Sequence, residues 1–128
     1  MLRLAKSEDA NVRRFVGETL RPVRENRWFY RNHDYPLSII KEMFKESSAY
    51  ARTSVGNNLS DLARQCPDTV YDVVGGLVEN GDRNSYWIAC RACRNLVKTD
   101  SLKVMDLLKV HEYRYKERIY KRSDYHRD

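Results

Sequence analysis

Ser54, Asn58, Asp61 and Gln65 are four polar residues at helical spacing, and they are where this sequence first suggests chemistry. At about 100° per residue they share one flank of a helix. Beside them runs an apolar stripe of Ala51, Val55, Leu59, Leu62 and Cys66. A carboxylate and a carboxamide on one flank can order water, stabilise a developing positive charge, or bond to a neighbouring backbone. The flank has no Lys or Arg of its own. Cys90 and Cys93 form a CxxC pair inside a helical pattern. No second ligand pair follows at zinc-site spacing, so packing thiols are expected there and no metal.

The elements that must position these residues read as helices throughout, with no sustained period-two alternation bounded by hairpin turns. Asp9 caps a helix carrying Val12, Val16 and Leu20 and closed by Pro22. Residues 22 to 35 are polar and aromatic without a period, and read as a long loop. Pro36 opens a helix that turns Leu37, Ile40 and Phe44 inward, and Ser47 or Ser48 caps the next. Pro67 starts a helix with Val70, Val73, Val74 and Leu77 inside, ended at Gly81. Two more helices are expected over about 84–98 and 101–110. The Tyr-rich, charged tail at 112–128 reads as either a frayed helix or an ordered cover.

The long helices, near 9–21, 48–66 and 84–98, recur at spacings of 39 residues (Phe15 to Ser54) and 37 (Ser54 to Arg91). A period of about 40 with two helices per unit predicts an all-α, HEAT-like solenoid of three stacked repeats over 1–111. The positions matching Ser54, Asn58 and Asp61 are Phe15, Thr19 and Pro22 in the first repeat, and Arg91, Asn95 and Lys98 in the third. Stacking would set Asp61 between an aromatic-bearing and a basic neighbour. The alternative is that Asn58 and Asp61 only bond to backbone between repeats. Arg13 and Arg52 match each other across repeats and are expected to make structural contacts. The first long helix has no preceding partner, which leaves a missing cap, a second copy or a partner chain to cover it.

The chain has 128 residues, enough for one domain, with 33% charged residues and a net charge of +6. That moderate basic bias is compatible with nucleic acid. No apolar run approaches the roughly 20 residues of a membrane span. The start "MLRLAKSEDANVRR" lacks a signal-peptide core, and three cysteines are an odd number. Reduced thiols in a cytoplasm are therefore expected.

The segments "LRLAKSEDANVRRFVGETLRP", "RW", "HDYPLSII", "YARTSVGNNLSDLARQCPDTV" and "YWIACRACRNLVKTD" together resemble the AlkC/AlkD-like family, the bacterial DNA-alkylation-repair glycosylases built from HEAT-like repeats. Val12, Arg13, Arg14, Glu18, Arg21 and Pro22 carry the first motif. Trp28, Ser54, Val55, Asn57, Leu59, Asp61 and Pro67 follow in order. Trp87, Ile88, Ala92, Arg94, Leu96 and Lys98 complete it. Departures fall at Arg27, Tyr35, Cys90 and Arg91, and the family carries further repeats before the first motif.

The resemblance implies binding of duplex DNA and hydrolysis of the N-glycosidic bond of cationic N3- or N7-alkylated purines, with no cofactor. A cationic base is already a good leaving group. One carboxylate could then stabilise an oxocarbenium-like sugar and guide water. The family's acidic positions fall on Glu18 first and Asp61 second. Trp28 and Trp87 would form an aromatic wall, Asn58 would stand beside Asp61, and Arg91, Arg94 and Lys98 would hold phosphates. Against these stand plainer readings: Glu18 paired with Arg14 or Arg21, Trp87 in the core, and a solvated basic face. The alternative function is a non-catalytic HEAT-repeat module that binds nucleic acid or protein.

Overall fold

Three aspartates start three of the helices. Asp9 accepts a hydrogen bond from the Asn11 amide (2.8 Å), Asp82 from Ser85 (3.0 Å) and Asp100 from Lys103 (3.2 Å). Each such cap contributes about 1 kcal/mol. The computed structural model describes residues 2–21, 28, 31–32 and 34–125. Its helices are α1 (Leu2–Ala5), α2 (Ala10–Thr19), α3 (Asp34–Ile40), α4 (Ala49–Leu62), α5 (Pro67–Glu79), α6 (Arg83–Ala92), α7 (Leu96–Thr99) and α8 (Ser101–Leu108). A 3-10 turn at Lys41–Met43 extends α3. The strands β1 (Glu112–Tyr115) and β2 (Arg118–Lys121) follow, and a 3-10 turn at Arg122–Tyr125 comes last. Pro22 and most of the loop expected over 22–35 lie outside the described residues.

The three long helices lie in a row, α4 packing against α2 on one side and α6 on the other. A second layer is formed where α5 packs on both α6 and α8. Val16 from α2 and Leu20 at its C-cap, Val55, Leu59 and Leu62 from α4, and Ile88 from α6 are buried along the row. Val70, Val74 and Leu77 of α5 meet Val104, Met105 and Leu108 of α8 in the same core. The apolar stripe expected on α4 is therefore inside, except Cys66, which is half-buried. Pro67 begins α5 at its first turn, and Gly81, at φ +67°, follows its end in the left-handed region. Ser48 is the N-cap residue of α4 but makes no side-chain cap bond.

One expectation is corrected, and one pair of alternatives is decided. The helix expected over 84–98 is broken: α6 ends at Ala92, and Cys93 and Arg94 bond back to Cys90 and Arg91 (both 3.3 Å) in a tight turn before α7. Arg94 and Asn95 in that turn reach across to Ser60 of α4, which fixes the break. The tail is an ordered cover, and it is a hairpin rather than a helix. Its strands pair antiparallel, Tyr113 opposite Tyr120 and Tyr115 opposite Arg118. Tyr113 and Tyr120 are buried on one face, with ring centroids 6.3 Å apart. The Tyr113 hydroxyl donates to the Cys90 carbonyl (2.5 Å), which ties the hairpin onto α6. The chain is mostly helical, as an all-α reading requires, with this one two-stranded sheet added among the described residues.

Candidate nucleic-acid interface

The two joints of the helical row are built from matching positions. A Cβ on Gly17 would stand 2.5 Å from the Ser54 Oγ, and one on Gly56 would stand 2.5 Å from the Arg91 Cγ. Gly56 follows Gly17 by 39 residues, and Arg91 follows Ser54 by 37. The Asn58 amide donates to the Gly17 carbonyl, and the Asn95 amide to the Ser60 carbonyl, each at 3.2 Å. Glu18 accepts from the Ser54 hydroxyl at 3.0 Å, and Asn57 accepts from the Arg91 Nε at 3.0 Å. Arg13 and Arg52 make structural contacts. Arg13 forks onto Glu46 at 2.5 and 2.8 Å. Arg52 donates to Asn84 at 3.0 Å and lies 4.2 Å over the Trp87 ring. Phe15, in the position of Ser54 and Arg91, is 56% exposed.

The two candidate carboxylates meet at one guanidinium. Arg21 donates from Nε to Asp61 Oδ2 at 2.6 Å and from a terminal nitrogen to Glu18 Oε2 at 3.5 Å. The Asp61 bond raises the Arg21 guanidinium above its ordinary range against the opposing effect of burial, and the Glu18 charge adds to it. Their surroundings differ sharply. The Asp61 side chain is 3% exposed and that of Glu18 is 36% exposed. Asp61 and Asn58 are sealed inside the α2–α4 joint. The substrate contacts expected of both need an opening that neither has, and the backbone-bonding alternative describes Asn58 directly. Glu18 keeps one side open to solvent.

The predicted phosphate-holding residues divide as well. Arg91 and Arg94 are half-buried and flank Tyr115 of β1, their guanidinium carbons 5.2 and 6.0 Å from its ring centroid. Arg94 also donates to Ser60 Oγ (2.8 Å) and to the Tyr115 hydroxyl (3.3 Å). Lys116 comes to 5.5 Å from the same centroid. Lys98 is exposed and lines a cleft of about 620 Å³ with Arg118, Asp100 and Asp124. Trp87 is half-buried, packed against the core beneath Arg52. Trp28 is 56% exposed and stacks edge-on with Tyr35 at 5.5 Å.

Burial pushes the Cys90 thiol up, and burial together with Cys90 pushes Cys93 up to about 12, so both stay protonated packing groups at neutral pH. Among the described residues no three His, Cys, Asp or Glu side chains group as metal ligands, and no helix is long and apolar enough to cross a membrane. Compared with family models, with curated proteins and with solved structures, the chain matches none. Sequence reasoning missed Tyr115 and Lys116. The signal was the alternation in "EYRYKERIYK", masked by a turn that lacks the usual Gly or Asn.

Proposed function

We propose that the chain is a HEAT-like solenoid unit that binds duplex DNA and excises cationic N3- or N7-alkylated purines. Glu18 is its reacting carboxylate and Asp61 the residue that holds Arg21. One observation supports the reading above the others. Of the two carboxylates at the α2–α4 joint, Glu18 alone is open; it bonds Ser54, and one turn further along α4 Asn57 bonds Arg91. In the reaction the C1′–N bond breaks and its electron pair leaves with the base, neutralising it. The Glu18 carboxylate stabilises the positive sugar that remains. Water adds at C1′ and its proton passes to solvent, leaving an abasic site and free base. Arg91 and Arg94 hold backbone phosphates, which position the duplex without reading sequence.

The test is release of 7-methylguanine and 3-methyladenine from methylated duplex DNA. Glu18→Gln keeps the Ser54 bond and removes the charge, so release should fall about 100-fold or more. The burial of Asp61 and Asn58 favours a second reading, a DNA-binding module without chemistry. In that case the wild-type chain binds duplex in a salt-dependent manner and releases no base.

A further inference from the structure

We propose that the C-terminal hairpin closes a phosphodiester-binding site, in which Arg91, Arg94 and Lys116, gathered around the Tyr115 phenol, hold one phosphate of a nucleic-acid backbone. Three cations on two separate elements, α6 with its following turn and the hairpin tip, converge on one ring, at 5.2, 6.0 and 5.5 Å from its centroid. Like charges gathered in this way repel one another unless an anion joins them. The described residues supply none. Among the described residues no carboxylate pairs with any of the three, and Glu112, on the same hairpin, is engaged by Arg114 at 3.9 Å. Glu117, beside Lys116 in the turn, is exposed and makes no ion pair with it.

The two arginines are aimed rather than free. Arg91 is fixed by its Nε bond to Asn57, and its first side-chain carbons rest on Gly56. Arg94 is fixed by Nε to Ser60. Both anchors are neutral acceptors, so the guanidinium charges remain available, and forked donors of this kind suit phosphate oxygens. Burial alone would raise the Tyr115 phenol. The Arg94 bond and the charges of Arg91, Arg94 and Lys116 outweigh it and hold the phenol below its usual range. The cluster therefore places positive charge around an atom that can report on it. The proposal rests on the DNA-binding half of the functional reading and not on its chemistry.

The experiment uses an unmodified duplex oligonucleotide, so base excision plays no part in the result. Binding is followed by fluorescence anisotropy across a salt series, for wild type and for Lys116→Asn. Lys116 sits at φ +55°, where Asn is well tolerated, so the hairpin keeps its thermal stability in the variant. Losing one of the three cations that share the phosphate should shrink the salt slope by up to about one and weaken binding by up to roughly eightfold at 0.1 M salt. In parallel, the Tyr115 signal of Cζ-labelled protein, assigned with Tyr115→Phe, is titrated with pH. A bound phosphate should move its midpoint upward, because the new anion offsets the cations. Four results overturn the proposal: no duplex binding by wild type, equal affinity and slope in Lys116→Asn, a Tyr115 midpoint unmoved by duplex, or binding to anionic lipid vesicles in preference to duplex. Failure of the glycosylase reading would show elsewhere, as absent base release from methylated DNA.

Discussion

Three glycine-to-alanine substitutions should separate in sign and order if the helical row is built as described. Alanine in place of glycine inside a helix stabilises by about 0.5–1 kcal/mol when the new methyl meets nothing. Gly76 is such a position, with no neighbour within 4 Å of a built Cβ. At Gly56 the new methyl would meet the Arg91 Cγ at 2.5 Å and its Cβ at 2.7 Å. A Cβ cannot swing away without moving its backbone, so α4 and α6 must part. Overpacking of this kind costs about 1–3 kcal/mol. Taking the upper half of that range less the helix gain leaves a net loss of roughly 1.5–2 kcal/mol. At Gly17 the closest atom is the Ser54 Oγ at 2.5 Å, which can rotate, with the Ser54 Cβ at 3.0 Å behind it. The net loss there should be smaller, about 0.5–1 kcal/mol. Urea unfolding midpoints should therefore rank Gly76→Ala above wild type, then Gly17→Ala, then Gly56→Ala, with thermal midpoints moving by about 4 °C per kcal/mol. Gly56→Ala as stable as wild type, alongside a stabilised Gly76→Ala, would refute the seating of α6 on α4.

Other outcomes follow from the charged pairs. Arg21→Ala strands the Asp61 carboxylate inside the joint; fully buried pairs lose about 3–5 kcal/mol in this way. A third of Arg21 is already in water, so roughly 2–3 kcal/mol is expected by denaturant unfolding, and joining Asp61→Leu to Arg21→Met should recover most of it. For Glu46, burial raises the carboxyl, but the bond from Arg13 and the amides of Ser48 and Ser47 overcome it and hold it below its ordinary 4.5. A depressed carboxylate stabilises the fold above its unfolded value and loses that contribution as pH falls through the folded one. The thermal midpoint of wild type should therefore drop on acidification below about pH 4.5, and Glu46→Gln, starting lower, should drop less over the same span.

Periodicity made much of the fold legible. The stripe of Val55, Leu59 and Leu62 and the cap at Asp9 are local signals, and the structure uses them as read. The structural part of Arg13 and Arg52 was legible because recurrence at one register position implies one neighbour. Two features were not legible. A helix wheel shows that Ser54, Asn58 and Asp61 share a flank, but not whether the flank faces solvent or the previous helix. Gly17, the residue that lets α4 come close, lies 37 residues before Ser54, so that closeness is a long-range fact. The hairpin was hidden for a local reason: its turn places Lys116 in the left-handed region, where glycine or asparagine would have announced it.

The matching joints also explain why one carboxylate at the α2–α4 joint is sealed while the other stays reachable. Each joint sets a residue of the later helix over a glycine of the earlier one, beside a polar residue one position past that glycine. At the first joint the later residue is Ser54 and the polar partner is Glu18. At the second they are Arg91 and Asn57. The partner position lies at the edge of the joint, where it bonds inward with one atom and keeps another toward solvent. The flank positions at Asn58 and Asp61 lie one and two turns further along α4 and close over completely. A carboxylate at the partner position is therefore both oriented and reachable, whereas one on the flank is only oriented. The substitutions at Glu18 and Arg21 separate these two conditions. Glu18→Gln should alter what the surface does to DNA with little loss of stability, and Arg21→Ala should lower stability through Asp61.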